Sequence, residues 1–316
     1  MRVLVTGAGG FVGRHLCRTL RSAGFSVRAA VRREVELPDV DEVVAVGSID
    51  EQTSWHAALR NVDFVAHLAA RVHVLTERLP DPLEEFRRVN VAGTEHLARS
   101  AACSGVRRFV FVSSIKVNGE STSVGEDFSE ASVPRPQDPY GMSKWEAEQA
   151  LAAVGSDSGM EIVCVRPPLV YGPGVGANFR SMMRWVARGL PLPLAAVRNR
   201  RSLVYIGNLT DALARCLLSS RAAGQTFMVC DGEDLSTPDL IRRVARALSV
   251  RPRLIAVPPA VLRFSGSMLH RQPAVSRLTE SLCVDGRLIR TELGWSSPFS
   301  VDQGLAETAD WFRRSG

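Results

Sequence analysis

The chain of 316 residues has no clustered cysteines, few aromatics, no block of like charge and no long apolar run. Cys17, Cys103, Cys164, Cys216, Cys230 and Cys283 stand far apart, without Cys-x-x-Cys or Cys/His ligand spacing. That spacing argues against a disulfide framework or a zinc site; no metal is expected, and a reducing cytoplasm is the expected compartment. Aromatic residues make up 6%, and the pattern of basic residues interleaved with aromatics that marks a nucleic-acid groove is absent. The formal charge is +6 and the pI near 9.3. The 39 basic residues are scattered, mostly in pairs such as Arg32 and Arg33 or Arg200 and Arg201, so no nucleic-acid partner is expected. Nowhere do ~18 apolar residues run together, as a membrane span requires. The opening run Val3, Leu4, Val5 passes at once into glycines, too short for a signal peptide; no integral membrane segment is expected.

What is present is an ordinary globular composition, 45% hydrophobic and 23% charged, on a chain long enough for a substantial core. Short, largely apolar runs recur at residues 3–5, 26–31, 42–46, 62–67, 109–112 and 162–165, with helical stretches between them, clearest over 84–104 and 140–154. Strands alternating with helices predict an α/β fold with a doubly wound parallel sheet, a Rossmann arrangement. After residue 165 prolines multiply, at Pro167, Pro168, Pro173, Pro191 and Pro193 and again from Pro252 to Pro273. These predict a smaller, mostly C-terminal substrate-binding lobe over about 166–202 and 230–316. The dinucleotide-binding domain then comprises 1–165 plus about 203–229, where another helix and strand are readable.

Gly7, Gly10 and Gly13 stand three apart between the first strand and the first helix, with Phe11 and Val12 opening that helix. A turn without side chains lets backbone N–H groups and a helix N-terminus approach a pyrophosphate, so a dinucleotide is the expected cofactor. NAD sites carry an acidic residue at the end of the second strand, about 20 residues on. Here Val31 is followed by Arg32 and Arg33, which repel no 2′-phosphate and attract it; NADP(H) is favoured, with NAD(H) as the other possibility.

Tyr140 and Lys144 stand four apart, on one face of a helix. Hydride transfer to or from a carbonyl needs a proton at the oxygen, and a tyrosine supplies it when a nearby cation favours its phenolate. Ser113 and Ser114 end the strand 109–112 at the sheet edge where ligands bind. Ser114 is the candidate donor to the substrate oxygen. His67, also at a strand end, reads as a hydrogen-bonded structural histidine.

These motifs together resemble the extended short-chain dehydrogenase/reductases of the nucleotide-sugar epimerase/dehydratase superfamily. The resemblance runs through Thr6 to Gly13, His67 to Ala70, Asn90 to Thr94, Ser113 and Ser114, Tyr140 to Lys144, Arg166 to Pro173 and Glu292 to Trp295, almost the whole chain. It implies a UDP-sugar substrate and a homodimer. Leu68, Ala69 and Ala70 would lie along the cofactor, and Asn90 would sit behind the active site. Asn178, Arg201 and Arg277 would contact substrate, Arg201 gripping the diphosphate. In the 4,6-dehydratases an Asp-Glu pair follows the hydroxyl residue, whereas Ile115 and Lys116 follow Ser114 here. Dehydration then lacks its acid and base. More narrowly, Ser114 to Glu120, Pro139 to Glu148 and Arg184 to Leu194 resemble bacterial O-antigen 4-reductases acting on UDP-4-keto-6-deoxy-N-acetylglucosamine, whose relatives include UDP-sugar 4-epimerases. Reduction by NADPH is the leading expectation and 4-epimerisation the alternative. A non-catalytic NADP sensor is a third, opposed by the presence of both Tyr140 and Lys144.

Overall fold

The computed structural model describes residues 1–72, 81–268 and 272–315. The short apolar runs become nine strands among the described residues: β1 (Arg2–Thr6), β2 (Ser26–Val31), β3 (Glu42–Ala45), β4 (Phe64–His67), β5 (Arg108–Val112), β6 (Glu161–Arg166), β7 (Leu169–Tyr171), β8 (Leu203–Tyr205) and β9 (Thr226–Met228). Seven lie in one sheet in the order β3-β2-β1-β4-β5-β6-β9, every pair parallel. The order reverses between β1 and β4, and that switch point opens the crevice in which such sheets bind ligands.

The described helices are α1 (Phe11–Ser22), α2 (His56–Leu59), α3 (Pro82–Arg87), α4 (Gly93–Cys103), α5 (Pro139–Ser158), α6 (Ala177–Ala187), α7 (Ile206–Leu218), α8 (Thr237–Ala247), α9 (Pro259–Met268), α10 (Gln272–Thr279), α11 (Arg287–Leu293) and α12 (Val301–Ser315). Leu16, Cys17 and Leu20 of α1 and Leu209 and Leu213 of α7 pack on one face of the sheet. Leu97 and Ala101 of α4 and Leu151 and Val154 of α5 cover the other. Double coverage explains why the central strands read as continuous apolar runs rather than alternating ones.

The stretch read as one helix over 84–104 is divided. α3 starts at an Asp81 cap with Pro82 in its first turn, and a π-helical turn over Arg88–Ala92 separates it from α4. That turn rotates Asn90 inward, where it is 1% exposed. The helix read at 140–154 is longer, because Asp138 caps it before Pro139 and left-handed Gly159 ends it.

Residues 203–229 also divide. α7 and β9 join the main layers, but β8 pairs with β7 in a separate two-stranded sheet. β7, β8, α6, α8 and α12 build a second core around Tyr171, Met183, Tyr205, Ile241 and Leu305. Conversely, Ile289 and Leu293 of α11 and Trp295 pack back on the main core, so not all of 230–316 belongs to the second one. The six cysteines are unpaired, and among the described residues no helix is long and apolar enough to cross a membrane.

Candidate active site

At the carboxyl end of β1 the chain turns sharply, with Gly7 at φ +69° and Gly10 N–H donating to Gly7 O at 2.9 Å. A Cβ on Gly7 would lie 2.8 Å from Ala69 N, and one on Gly13 only 2.1 Å from Gly7 O. Only glycine permits this stacking of turn, helix and the 68–70 segment. α1 begins with no side-chain cap and no acidic residue in its first turn, so its leading N–H groups, near Phe11 and Val12, keep their capacity for an anion. The cradle therefore fits the pyrophosphate of a dinucleotide.

Leu68, Ala69 and Ala70 follow β4 beside this turn, with Leu68 and Ala69 N–H each donating to Thr6 Oγ1 at 3.2 Å. Since that oxygen accepts twice, its own hydrogen goes to His67 Nδ1 at 2.7 Å, which leaves Nε2–H to donate to Thr94 Oγ1 at 2.9 Å. Burial, with Lys144 adding repulsion, pushes the imidazole down to about 3. His67 is a neutral strut between the glycine turn and α4. Arg32 and Arg33 stand exposed just after β2, with no ion-pair partner among the described residues.

Tyr140 occupies the first turn of α5 and Lys144 lies one turn later, its Nζ donating to Val112 O at 2.8 Å and sitting 4.2 Å from the centre of the Phe111 ring. Lys144 is thus fastened to the end of β5, two residues from Ser114. Ser114 Oγ accepts from Lys116 N–H at 3.2 Å and keeps its own hydrogen to donate. The neighbouring Ser113 Oγ is buried with no partner among the described residues. The Tyr140 ring meets Phe86 edge-on at 6.2 Å. Burial, then the Asp138 charge, pushes its phenol up to about 12. Lys144 is not among the groups that shift it: burial holds Lys144 itself down to about 7, and its Nζ is turned to the Val112 carbonyl.

The residues in place of the dehydratase carboxylates have other tasks. Ile115 is buried beside Met228 and Val284. Lys116 Nζ donates to Asp138 Oδ2 at 2.5 Å and Glu120 Oε1 at 2.7 Å, while Asp138 Oδ1 accepts from Gly141 N–H at 2.6 Å as the cap of α5. A second brace comes from Asn90, whose amide donates to Arg71 O and Ser143 Oγ; Ser143 in turn donates to Tyr140 O. The sequence reading missed both braces. Asp-Pro before the helix was a visible start signal, but partners 22 and 53 residues apart in sequence carried none.

Of the candidate substrate residues, Arg201 and Arg277 come together. Burial chiefly, and Arg277 as well, lower the affinity of Arg201 for its proton, opposed by Glu120. Arg201 donates to Glu280 O at 3.2 Å. Asn178 is exposed in the first turn of α6 and has no side-chain hydrogen bond among the described residues. Asp127, Asp234 and Cys283 bring three ligand atoms within 4.8 Å, but Asp234 is engaged by Arg200 at 2.6 Å and Ser202 at 2.5 Å.

A glycine cradle at the switch point of a parallel sheet, facing a Tyr/Lys helix and a serine-tipped strand, defines a dinucleotide-dependent enzyme. Residues 3–230 match the NAD dependent epimerase/dehydratase family, and the chain belongs to that family. It is 43% identical to a UDP-glucose 4-epimerase of Vibrio cholerae over 312 residues, covering 98% of this chain and 95% of the relative. Among solved structures, MoeE5 in complex with UDP-glucuronic acid and NAD is 27% identical with a TM-score of 0.79, covering 100% of both chains. The Thermus thermophilus UDP-glucose 4-epimerase in complex with NAD is 25% identical with a TM-score of 0.80, also over 100% of both.

Proposed function

We propose that the protein is a nicotinamide-dependent UDP-sugar 4-epimerase, a reading carried by its 43% identity, across 98% of its length, with the Vibrio cholerae UDP-glucose 4-epimerase. The reaction asks for one acid/base at the C4 oxygen, one polarising hydroxyl and one cation; these are Tyr140, Ser114 and Lys144. A nicotinamide held by the cradle of Gly7, Gly10 and Gly13 would supply reversible hydride exchange at C4 of the sugar. Tyr140 takes the C4 hydroxyl proton during oxidation and gives it back during reduction. Ser114 Oγ donates to the C4 oxygen. Lys144, fastened to the end of β5, holds the ribose hydroxyls and supplies positive charge to the phenolate.

In the same proposal Gly7, Gly10, Phe11, Val12 and Gly13 hold the pyrophosphate, and Leu68, Ala69 and Ala70 line the cofactor. Asn178, Arg201 and Arg277 hold the UDP diphosphate. Residues 1–165 with about 203–229 form the dinucleotide lobe, and most of 166–202 and 230–316 the sugar lobe, of a cytoplasmic homodimer.

A second reading, reduction of the C4 ketone of a UDP-4-keto-6-deoxy-N-acetylhexosamine for surface polysaccharide, is favoured by Arg32 and Arg33. Two exposed guanidiniums after β2 complement the 2′-phosphate of NADPH, which a reductase exchanges at each turnover. Mass spectrometry of the nucleotide retained on the purified protein, with turnover assays, separates the two. Retained NAD and interconversion of UDP-glucose with its 4-epimer, without added cofactor, is the expected result. NADPH consumed one-to-one with a UDP-4-keto sugar, with UDP-glucose and UDP-N-acetylglucosamine left unchanged, overturns it in favour of the reductase.

A further inference from the structure

Between Asp239 and Glu280 the sequence contains no acidic residue and eight arginines, more than the chain's whole formal excess of +6. Arg242 and Arg243, on α8, are paired with Asp239 and Glu233. Arg251, Arg253 and Arg263 are exposed and have no ion-pair partner among the described residues. The unneutralised charge therefore gathers around α9.

That helix is also unusually apolar on its outer side. Val261, Phe264 and Met268 are 52%, 68% and 69% exposed, and their spacing of three and four places them in one stripe along the helix. The other side is the anchored one: Leu262 packs on the second core and Gly266 is buried. Ile255, just before α9, is exposed as well. An apolar stripe set in a stretch of sequence, 240–279, that has exposed arginines and no carboxylate matches a surface that offers hydrocarbon beneath anionic groups. A soluble protein partner would have to supply both features in one patch; a bilayer with acidic headgroups has both everywhere.

We infer that α9 and the arginines around it dock the protein peripherally on an anionic lipid bilayer. The docking helix packs against α10, which carries Arg277 beside Arg201, so the docked face lies one helix away from the candidate diphosphate site. The inference stands on charge and exposure alone and does not depend on which sugar reaction the enzyme performs.

Flotation of the full chain with vesicles tests it. The protein is expected to float with vesicles of phosphatidylglycerol and phosphatidylethanolamine, to be released as sodium chloride is raised, and to stay behind with phosphatidylcholine vesicles. F264S/M268S lowers the partition by roughly tenfold or more. R251Q/R253Q/R263Q lowers it to a similar extent and flattens the salt dependence. All these side chains are exposed, so circular dichroism and the thermal midpoint stay those of the unsubstituted chain. Failure of the unsubstituted chain to float at low salt, or flotation of both variants at its level, overturns the inference. A dimer that F264S/M268S splits in sedimentation equilibrium, with flotation unchanged, also overturns it and assigns the stripe to a second copy.

Discussion

At the amino end of the sheet Arg28 and Arg108 are 3% and 4% exposed, and at the carboxyl end Lys144 is 2% exposed, yet the two ends treat a buried cation differently. Arg28 donates to Glu42 on the neighbouring strand at 2.8 Å and to the carbonyls of Ala58 and Arg60 at the end of α2. Arg108, on β5, repeats the design three positions along the sheet order from β2, donating to Glu161 at 2.7 Å and to the carbonyls of Cys216, Leu217 and Ser219 at the end of α7. Each guanidinium ties two strands and donates to the carbonyls at a helix end. Among the described residues Lys144 has one carbonyl and one ring face as partners and no ion pair with a carboxylate. A saturated buried cation is fixed structure; a sparsely paired one keeps its proton loosely, which suits a group that must respond to cofactor and phenolate.

Replacing the two kinds of cation should therefore give opposite results. Lys144→Met is expected to lower turnover of the UDP-sugar by roughly 10²–10⁴-fold while making the chain harder to unfold. The sign follows from proton binding. Lys144 is held at about 7 in the fold against about 10.4 in an unfolded chain, so the unfolded chain binds the extra proton between those values. Stability of the unsubstituted protein thus rises as pH climbs from about 7 toward about 10, and the Met variant lacks that slope. Thermal melts below pH 7 should show the variant ahead, and melts near pH 10 should bring the two together. Arg108→Ala is the reverse case: about 3 kcal/mol of stability lost, because three carbonyls and Glu161 lose their donor, with turnover per folded molecule unchanged. Destabilisation by both substitutions alike would break the comparison.

How far sequence carried this architecture depended on the range of the interactions. β2 was legible to the residue, since Ser26–Val31 is an apolar run ending in a charge pair, and the Tyr140/Lys144 pairing follows from helical spacing alone. Gly7, Gly10 and Gly13 could be read because a backbone turn leaves no choice of residue. The π turn at Arg88–Ala92 was not legible, because Asn90 is drawn inward by Arg71 and Ser143, distant in sequence, rather than by anything in its own helix. The same holds for β8, whose apolar Leu203, Val204 and Tyr205 suit either sheet; its pairing with β7 is decided by the second core. Nor could the pattern at Tyr140 and Lys144 reveal that burial would dominate both groups.

The smallest expected effect probes how closely the catalytic end is tuned. Asp138 serves α5 as its cap, but its charge also opposes ionisation of Tyr140. Lys116 stands on the far oxygen of that carboxylate at 2.5 Å, so the cap carries its own counter-charge. Of the charged groups, Asp138 at the start of α5 is the one that acts on Tyr140, whose ring packs edge-on against Phe86. Lys116→Met uncovers the Asp138 charge, and the rising acidic limb of the turnover profile should move to higher pH by about half a unit or more. Asp138→Asn retains a capping oxygen and removes the charge, so in the Lys116→Met background it should return the limb toward its original position. A purely structural role for Lys116 would lower turnover at every pH alike, and the second substitution would then rescue nothing.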